Sequence, residues 1–528
     1  MADSARGYHL TLVNREELLF KTDIVRSELR SRSVRSSAVT VAFRGTQMLV
    51  FLGSAMILAR VLSPSDFGVQ AMVLPASFLA NNLANHSLQS AVIHRESLDS
   101  ADASALFRYV LRVGLVVAAV MAVLAPFMAR LYHEPRVTGI AIVWAATIFA
   151  ATFSAIQEAL LKRQLLFGVI MKAHMAALIV SVLVAVGAAL LGMGYWSLML
   201  QVAVMELTRV VIIWIVCPWR PSLGSAPTTR DAVLAVRRYW MGLSASRAVS
   251  WIGDHLDRVI VGSVGGALAA GLYDSAKRWA SFAFQELHMS LADVAVGSLS
   301  RVRDERERYR VYLRNVFLPI LSLSLPVMGF MFVDARRVLH ILLGDQWLAA
   351  DGFVRMMCIA TVGAAGGKLM QWVYMSLGQT DRQLRWTFVT TPLNVLAVLL
   401  GAQRGAYGVA VAVAIVNVAL AVPSLWYGLR VSPVALRECL TIFLRPLSAA
   451  VMAALALWAA DPHLPRMRPD LVALGLRGLL FGLVYATAWI ALPGGVRAWR
   501  NIVAGMSELR IGRSRESAPS AALAESIT

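Results

Sequence analysis

The sequence predicts an all-α polytopic membrane protein with about 14 transmembrane helices. Hydrophobic residues make up 58% of its 528 positions and charged residues only 15%, whereas soluble chains contain about 45 to 50% apolar and about 25% charged residues. Apolar runs of the length that crosses a bilayer, about 20 residues, follow one another with short polar loops between them. We therefore expect any binding site to lie within the bilayer or at its surface.

Basic residues in the loops predict how the chain is oriented. The candidate spans begin near residues 38, 68, 109, 138, 170, 195, 240, 266, 313, 350, 386, 406, 440 and 471. The loops on the side of the N-terminus, together with the N- and C-terminal tails, hold 30 Lys and Arg residues, and the loops on the opposite side hold 8. Cytoplasmic loops carry the excess of basic residues, so both termini are predicted to be cytoplasmic. The net charge of +19 is explained in the same way and indicates no nucleic-acid partner.

Two motifs occur twice, which predicts an internal repeat of six spans. The stretch "ILARVLSPSDFGVQAM" is echoed by "VIVGSVGGALAAGLYDSA", and "VLAPFMARLYHEPRV" is echoed by "SLPVMGFMFVDARRVLHIL". In the first pair, each copy joins a span end, a turn of small residues and a glycine near the start of the next helix. Since six is even, the two halves should have the same orientation and be related by a pseudo-two-fold axis along the membrane normal.

The repeat divides the chain into five parts. They are a cytoplasmic N-terminal extension (1–37), a first six-helix lobe (38–239), a second six-helix lobe (240–439), two extra C-terminal helices (440–492) and a cytoplasmic tail (493–528).

The second span carries an unusual set of polar side chains. On an α-helix, the amides Asn81, Asn82, Asn85 and Gln89 form one stripe with His86. Unsatisfied amides are costly in hydrocarbon, so the stripe should face either a neighbouring helix or a wet cavity. An isolated histidine is usually packed, so we assign His86 no proton role.

Charged and polar residues also mark the first, seventh and eighth spans, which together with the second are the first two spans of each half. The candidate cavity residues there are Arg44, Gln47, Arg247, Asp254, Arg258, Lys277 and Gln285. The alternative for some of these charges is structural pairing at helical spacing. The pairs that fit are Asp254 with Arg258, Asp274 with Arg278, and Glu206 with Arg209.

Several functional classes find no support in the sequence. The chain contains no GxxxxGK[ST] phosphate loop and no clustered His and carboxylate with metal-ligand spacing. The three cysteines fall within or beside apolar segments and indicate no disulfide framework. No cofactor is predicted. A membrane-bound polymerase or transferase would need acid or base groups on a substantial external loop, and the external loops here are short, so we expect no enzyme activity.

Four stretches carry a family resemblance: "LARVLSPSDFGVQAM", "IVGSVGGALAAGLYDSAKRW", "VGSLSRVRDERERYRVYLR" and "ILLGDQWLAADGFVRMMCIA". They resemble the Wzx-like polysaccharide transporter family of lipid-linked oligosaccharide flippases, particularly those serving exopolysaccharide export. The resemblance covers roughly residues 38 to 490. It implies the multidrug/oligosaccharidyl-lipid/polysaccharide superfamily fold, with two lobes around a central cavity, in the bacterial inner membrane. It also implies that an undecaprenyl-diphosphate-linked glycan is flipped, with a polysaccharide polymerase and export machinery as further partners.

This resemblance gives the polar residues expected roles. Amides suit sugar hydroxyls because they donate and accept hydrogen bonds, so the second-span stripe is expected to line the glycan part of a cavity. The cations Arg44, Arg247 and Lys277 are expected to hold the diphosphate through charge-assisted hydrogen bonds. The main alternative function is a multidrug or cation antiporter of the same superfamily, which would need an acidic cavity. The less favoured alternative is a glycan polymerase or transferase.

Overall fold

The computed structural model describes residues 43–495 except 44, 94–97, 165, 223–229, 464–469 and 493–494. This part of the chain contains fifteen α-helices and no strand. The helices are α1 (Gly45–Val61), α2 (Pro64–Asn81), α3 (Ser87–Ile93), α4 (Ser100–Tyr132), α5 (Arg136–Arg163), α6 (Phe167–Leu190), α7 (Tyr195–Val216), α8 (Arg230–Arg301), α9 (Arg306–Val333), α10 (Ala335–Leu342), α11 (Asp351–Ser376), α12 (Thr380–Ala402), α13 (Gly405–Leu429), α14 (Leu436–Ala460) and α15 (Asp470–Ala491).

Within the described ranges, eleven helical stretches are long and apolar enough to cross a membrane. One of them, Trp251–Ala292, belongs to α8, which bends at Gly266 where the backbone leaves the helical region (φ 68°). Dividing this stretch at the bend and adding the shorter α1 and the α2–α3 segment gives fourteen spans. The protein is therefore an all-α, multi-span membrane protein, as the sequence predicted.

The helices are grouped into two compact units. The first contains the described residues up to Asp274 together with Leu342–Ala349 and Asn394–Val409. In it α4 packs along α5, α6 packs along α7, and buried aliphatic side chains such as Met72 fill the space between α2, α4 and α5. The second contains Ser275–Ile341, Ala350–Leu393 and the described residues from Ala410 onward. The division into lobes at residues 239 and 240 remains a prediction.

The second unit is built on α9, which packs against α11 and α14. Its core is rich in aromatic residues, with Tyr309, Phe317 and Trp372 almost fully buried. The Tyr309 hydroxyl lies 2.8 Å from the Ser376 Oγ, which satisfies both polar groups inside the core.

The "SPSD" turn of the first motif copy starts α2 with a capping box. The backbone N–H of Asp66 donates to the Ser63 Oγ (3.2 Å), and the backbone N–H of Ser63 donates to Asp66 Oδ2 (3.0 Å). Pro64 occupies the first helical position, where a missing N–H costs nothing. These contacts fix where the second span begins, because they satisfy donors that the first helical turn leaves free.

The two copies of the repeated motif contact each other inside the first unit. A Cβ on Gly68 would lie 1.6 Å from the Ala267 carbonyl oxygen, and a Cβ on Gly271 would lie 1.9 Å from the Pro64 carbonyl oxygen. Only glycine permits backbones to approach this closely. Both copies therefore need a glycine because their helices contact each other through backbone atoms, with no side chain between them.

Gly271→Ala is expected to lower the thermal unfolding temperature of the detergent-purified protein by several degrees, because α2 and α8 must move apart. Overpacking of this kind costs about 1 to 3 kcal/mol. The matched control is Gly297→Ala in the same long helix, where an added Cβ meets nothing within 4 Å. The control should unfold at the wild-type temperature or slightly above it. Equal unfolding temperatures for the two variants would contradict the close contact.

Candidate functional site

The amide-rich segment of the second span is not one regular α-helix. A π-helical turn, Asn82–His86, separates α2 from α3. A π turn inserts an extra residue into the helical repeat, so the 3.6-residue spacing that aligned the five polar residues is interrupted. Such turns occur frequently at functional sites. The sequence pattern gave no signal for this one.

Two members of the predicted stripe pack against α5. The Asn85 Nδ2 donates to Asn81 Oδ1 (2.8 Å) and to the Ile148 carbonyl oxygen (3.4 Å). The Gln89 Nε2 donates to the Ala155 carbonyl oxygen (3.4 Å). Asn85 and Gln89 are each less than a tenth exposed. For these two amides the structure therefore shows the helix-packing geometry, and a contact with glycan remains a prediction.

The remaining predicted residues differ in exposure. Asn81, Asn82, Gln47 and Lys277 are half-buried, whereas Asp254 and Gln285 are exposed. The Asn82 Nδ2 donates to the Phe78 carbonyl oxygen (2.9 Å). Arg44 lies outside the described residues, as do the side chains of His86 and Arg247.

A cluster of four charged side chains joins α5 to α7 in the first unit. The Glu158 carboxylate forms ion pairs with Lys162 (2.8 Å) and Arg209, and Arg209 also pairs with Glu206 (2.6 Å). Glu158 is only 4% exposed. Gln89 extends the cluster towards α3, because its Oε1 accepts a hydrogen bond from the Lys162 Nζ (2.8 Å). Two anions and two cations thus neutralise one another inside the membrane-spanning part.

The Glu206–Arg209 pair confirms the structural alternative drawn from its spacing in the sequence. Glu158 is the residue that sequence reasoning missed. One of its partners, Lys162, lies at i+4 on the same helix, and this spacing was an available signal. The other partner, Arg209, lies on another helix, and same-helix spacing contains no information about that pair.

A second cluster joins the two arms of α8 across the bend at Gly266. The Arg258 Nε donates to Asp274 Oδ1 (2.7 Å), and the Tyr273 hydroxyl donates to Asp257 Oδ2 (2.5 Å). Arg258 Nη1 lies 2.8 Å from His255 Nδ1. Asp257 and Asp274 are less than a tenth exposed. Arg258 therefore has a structural partner on the following span, and its role as a substrate ligand remains a prediction.

Two tryptophan side chains of α8 donate hydrogen bonds to backbone carbonyl groups of the second span. The Trp251 Nε1 donates to the Pro75 carbonyl oxygen (2.7 Å), and the Trp240 Nε1 donates to the Leu83 carbonyl oxygen (2.8 Å). Phe78 stacks on His255 with ring centroids 5.2 Å apart. The amide-rich segment and the start of the second repeat are therefore held together by side chains of both.

The "GDQW" motif, which had no role assigned from sequence, closes the end of α1. The Trp347 Nε1 donates to the Ala59 carbonyl oxygen (2.8 Å), and the Gln346 Nε2 donates to the Leu62 carbonyl oxygen (2.9 Å). Carbonyl groups at the C-terminus of a helix lack partners within the helix. Gln346 and Trp347 provide them and so fix the first span beside the "SPSD" turn.

The fold and these intramembrane clusters define a polytopic membrane protein with polar groups inside its spans. The family model described as "Polysaccharide biosynthesis protein" matches residues 57–351, more than half of the chain. The protein belongs to this family.

Curated relatives extend the match over nearly the whole chain. The protein is 24% identical to the succinoglycan biosynthesis transport protein ExoT of Rhizobium meliloti (strain 1021), over 95% of this chain and 99% of that one. It is 18% identical to the lipopolysaccharide biosynthesis protein WzxC of Escherichia coli (strain K12), over 69% of this chain and 74% of that one.

Solved structures show the same fold. The lipid II flippase MurJ in an inward closed conformation aligns with a TM-score of 0.67 at 13% identity, covering 87% of this chain and 99% of that one. An inward-facing multidrug transporter of the MATE family and MOP superfamily aligns with a TM-score of 0.58 at 16% identity, covering 75% and 98%. Among the curated relatives, ExoT is named a transport protein and neither ExoT nor WzxC is named as an enzyme, which agrees with the prediction that this chain is not an enzyme.

Proposed function

We propose that the protein is a flippase that moves undecaprenyl-diphosphate-linked oligosaccharide repeat units across the bacterial inner membrane for exopolysaccharide or lipopolysaccharide synthesis. The observation that carries the proposal is the end-to-end match to a named succinoglycan transport protein. The MurJ-like fold supports it, because that fold also accommodates a flippase for a lipid-linked substrate. Both termini are proposed to be cytoplasmic, on the excess of basic residues in the loops of one side.

The proposed substrate contacts divide into two groups. Arg44, Arg247 and Lys277 would hold the diphosphate, since a doubly charged headgroup crossing an apolar layer needs positive partners. The amide-rich segment would contact the glycan, with Asn81 and Asn82 as its half-buried members. Hydrogen bonds from amides to hydroxyls are individually weak, which suits a site that must also release its substrate.

The proposed mechanism is alternating access by rocking of the two repeats. In such a cycle, contacts between the repeats on one side of the membrane must break when that side opens. Gly68 belongs to the first predicted repeat and Ala267 to the second, and we propose that their close approach is one such contact. A surface without interlocking side chains can separate at low cost, so the glycine pair suits a contact that forms and breaks repeatedly.

Deletion of the gene is expected to cause accumulation of a complete undecaprenyl-linked repeat unit. Lipid extracts from the deletion strain, a complemented strain and the parent strain are compared by mass spectrometry. The accumulated species should disappear on complementation, and its mass would name the glycan. A strain that lacks the first glycosyltransferase of the same pathway is the control, because it should accumulate no complete unit.

The same strains distinguish the alternative functions. An antiporter predicts normal export of polysaccharide together with increased sensitivity to cationic drugs. A polymerase predicts accumulation of repeat units that have already reached the outer leaflet. Either pattern would contradict the flippase proposal.

A further inference from the structure

A cleft of about 350 Å³ opens between α9 and α14 in the second unit. On each helix the lining residues recur every three or four positions and therefore form one face. The charged lining residues are Glu307, Arg310, Arg314, Glu438 and Arg445. None of them belongs to the proposed transport contacts.

The carboxylates of the cleft are both engaged with one arginine. Arg310 donates from Nη1 to Glu307 Oε1 (2.7 Å) and from Nε to Glu438 Oε2 (3.1 Å). Among the described residues that line the cleft, Glu307 and Glu438 are the acidic ones. The ion-pair network therefore occupies one end of the cleft, where the two helices begin.

The other end of the cleft is cationic. Arg314 lies one helical turn beyond Arg310 and lines the cleft together with Arg445. Both arginine residues are half-buried. Two neighbouring cations in a low-dielectric setting repel strongly, so an anion placed between them would be bound favourably.

The depth and the walls of the cleft indicate what kind of anion fits. Arg314 lies eight residues into α9 and Arg445 nine residues into α14, which places both about 12 to 14 Å along their helices. Leu318 and Ile442 line the cleft beside them, and Val311 and Leu444 are about half exposed on the adjoining surface. Cationic groups beside an apolar, lipid-facing wall complement a phosphate that carries acyl chains.

We propose that the cleft between α9 and α14 binds the phosphate headgroup of an anionic membrane phospholipid, held by Arg314 and Arg445. Basic pockets between transmembrane helices bind such headgroups. The bound phosphate would accept charge-assisted hydrogen bonds from both arginines and hold α9 against α14. A polyprenyl diphosphate offers the same phosphate chemistry, but the phospholipid is favoured because α9 and α14 contribute no proposed transport residue. The choice between these two lipids rests on the proposed function, whereas the anion site itself does not.

The test uses the full-length protein in neutral-detergent micelles. Binding of phosphatidylglycerol is measured by native mass spectrometry and by the rise in unfolding temperature, with phosphatidylcholine as the uncharged comparison. The double variant Arg314→Gln/Arg445→Gln should lose at least about tenfold in affinity for phosphatidylglycerol, together with the thermal shift, because two charge-assisted contacts are lost. Arg308→Gln is the matched control. It removes an exposed arginine of α9 that pairs with Glu305 outside the cleft, and it should bind as the wild type does.

A charge-conserving variant and a competing lipid complete the test. Arg314→Lys keeps the charge and should retain most of the binding. Equal stabilisation by phosphatidylcholine would overturn the proposal. Unchanged binding of phosphatidylglycerol to the double variant would also overturn it. If the double variant does not fold, the singly substituted Arg314→Gln protein is used in its place. Undecaprenyl phosphate should displace phosphatidylglycerol no better than phosphatidylglycerol itself does. Displacement at much lower concentration would identify a carrier-lipid site and equally overturn it.

Discussion

Glu158→Gln is expected to lower the free energy of unfolding by about 3 to 5 kcal/mol, because removing one partner leaves buried charge uncompensated. Glu158 is the shared anion of Lys162 and Arg209. Without its charge, Glu206 alone would face two cations. The yield of folded protein and its unfolding temperature in detergent should both fall sharply.

A second substitution that restores the charge balance around Glu158 should restore stability. The double variant Glu158→Gln/Lys162→Gln removes one anion and one cation, which leaves the neutral Glu206–Arg209 pair, and it should recover most of the lost stability. Glu307→Gln is the control: it removes one carboxylate of an exposed i,i+3 pair, and exposed pairs contribute only about 0 to 1 kcal/mol. If the double variant is no more stable than Glu158→Gln, the cluster does not stabilise the protein through charge balance.

Arg44→Ala is expected to abolish polysaccharide export at an unchanged level of inserted protein. The proposed diphosphate would lose a cationic partner, and each charge-assisted hydrogen bond is worth about 1.5 to 3 kcal/mol. Arg44→Lys should be partly active, because the charge remains although the two-pronged guanidinium geometry is lost. Export is measured as secreted polysaccharide in a deletion strain that carries each variant.

Arg60→Ala provides the comparison for Arg44→Ala. Arg60 lies near the other end of the first span and is exposed, so this variant should export normally. Arg247→Ala and Lys277→Ala are expected to reduce export as Arg44→Ala does. Normal export by all three cation variants at matched protein levels would mean that these residues do not hold the substrate.

The fold could be predicted from the sequence because its main determinants are local. Hydropathy identified the spans. The turn of small residues predicted near the start of the eighth span is the bend at Gly266, where glycine adopts a positive φ. The contact between the two motif copies could not be predicted. Nothing in either copy alone indicates that Gly68 and Gly271 each lie against the backbone of the other copy.

The polar residues inside the spans were recognisable from sequence, but most of their partners were not. Helical spacing reveals pairs on one helix, such as Glu206 with Arg209. Helical spacing contains no information about the ion pairs of Arg209 with Glu158 and of Arg258 with Asp274. These pairs form only when different spans pack together. The π turn after α2 was likewise missed, because it changes the helical repeat without a distinctive residue.

Transbilayer movement of the lipid-linked substrate in proteoliposomes tests the proposed function most directly. The purified protein is reconstituted with an undecaprenyl-diphosphate-linked oligosaccharide placed in the inner leaflet, and a glycosidase outside the vesicles reports the glycan that reaches the outer leaflet. Wild-type protein should expose the glycan to cleavage, whereas Arg44→Ala protein and empty vesicles should leave it protected. Equal protection in vesicles with and without wild-type protein would contradict the flippase proposal.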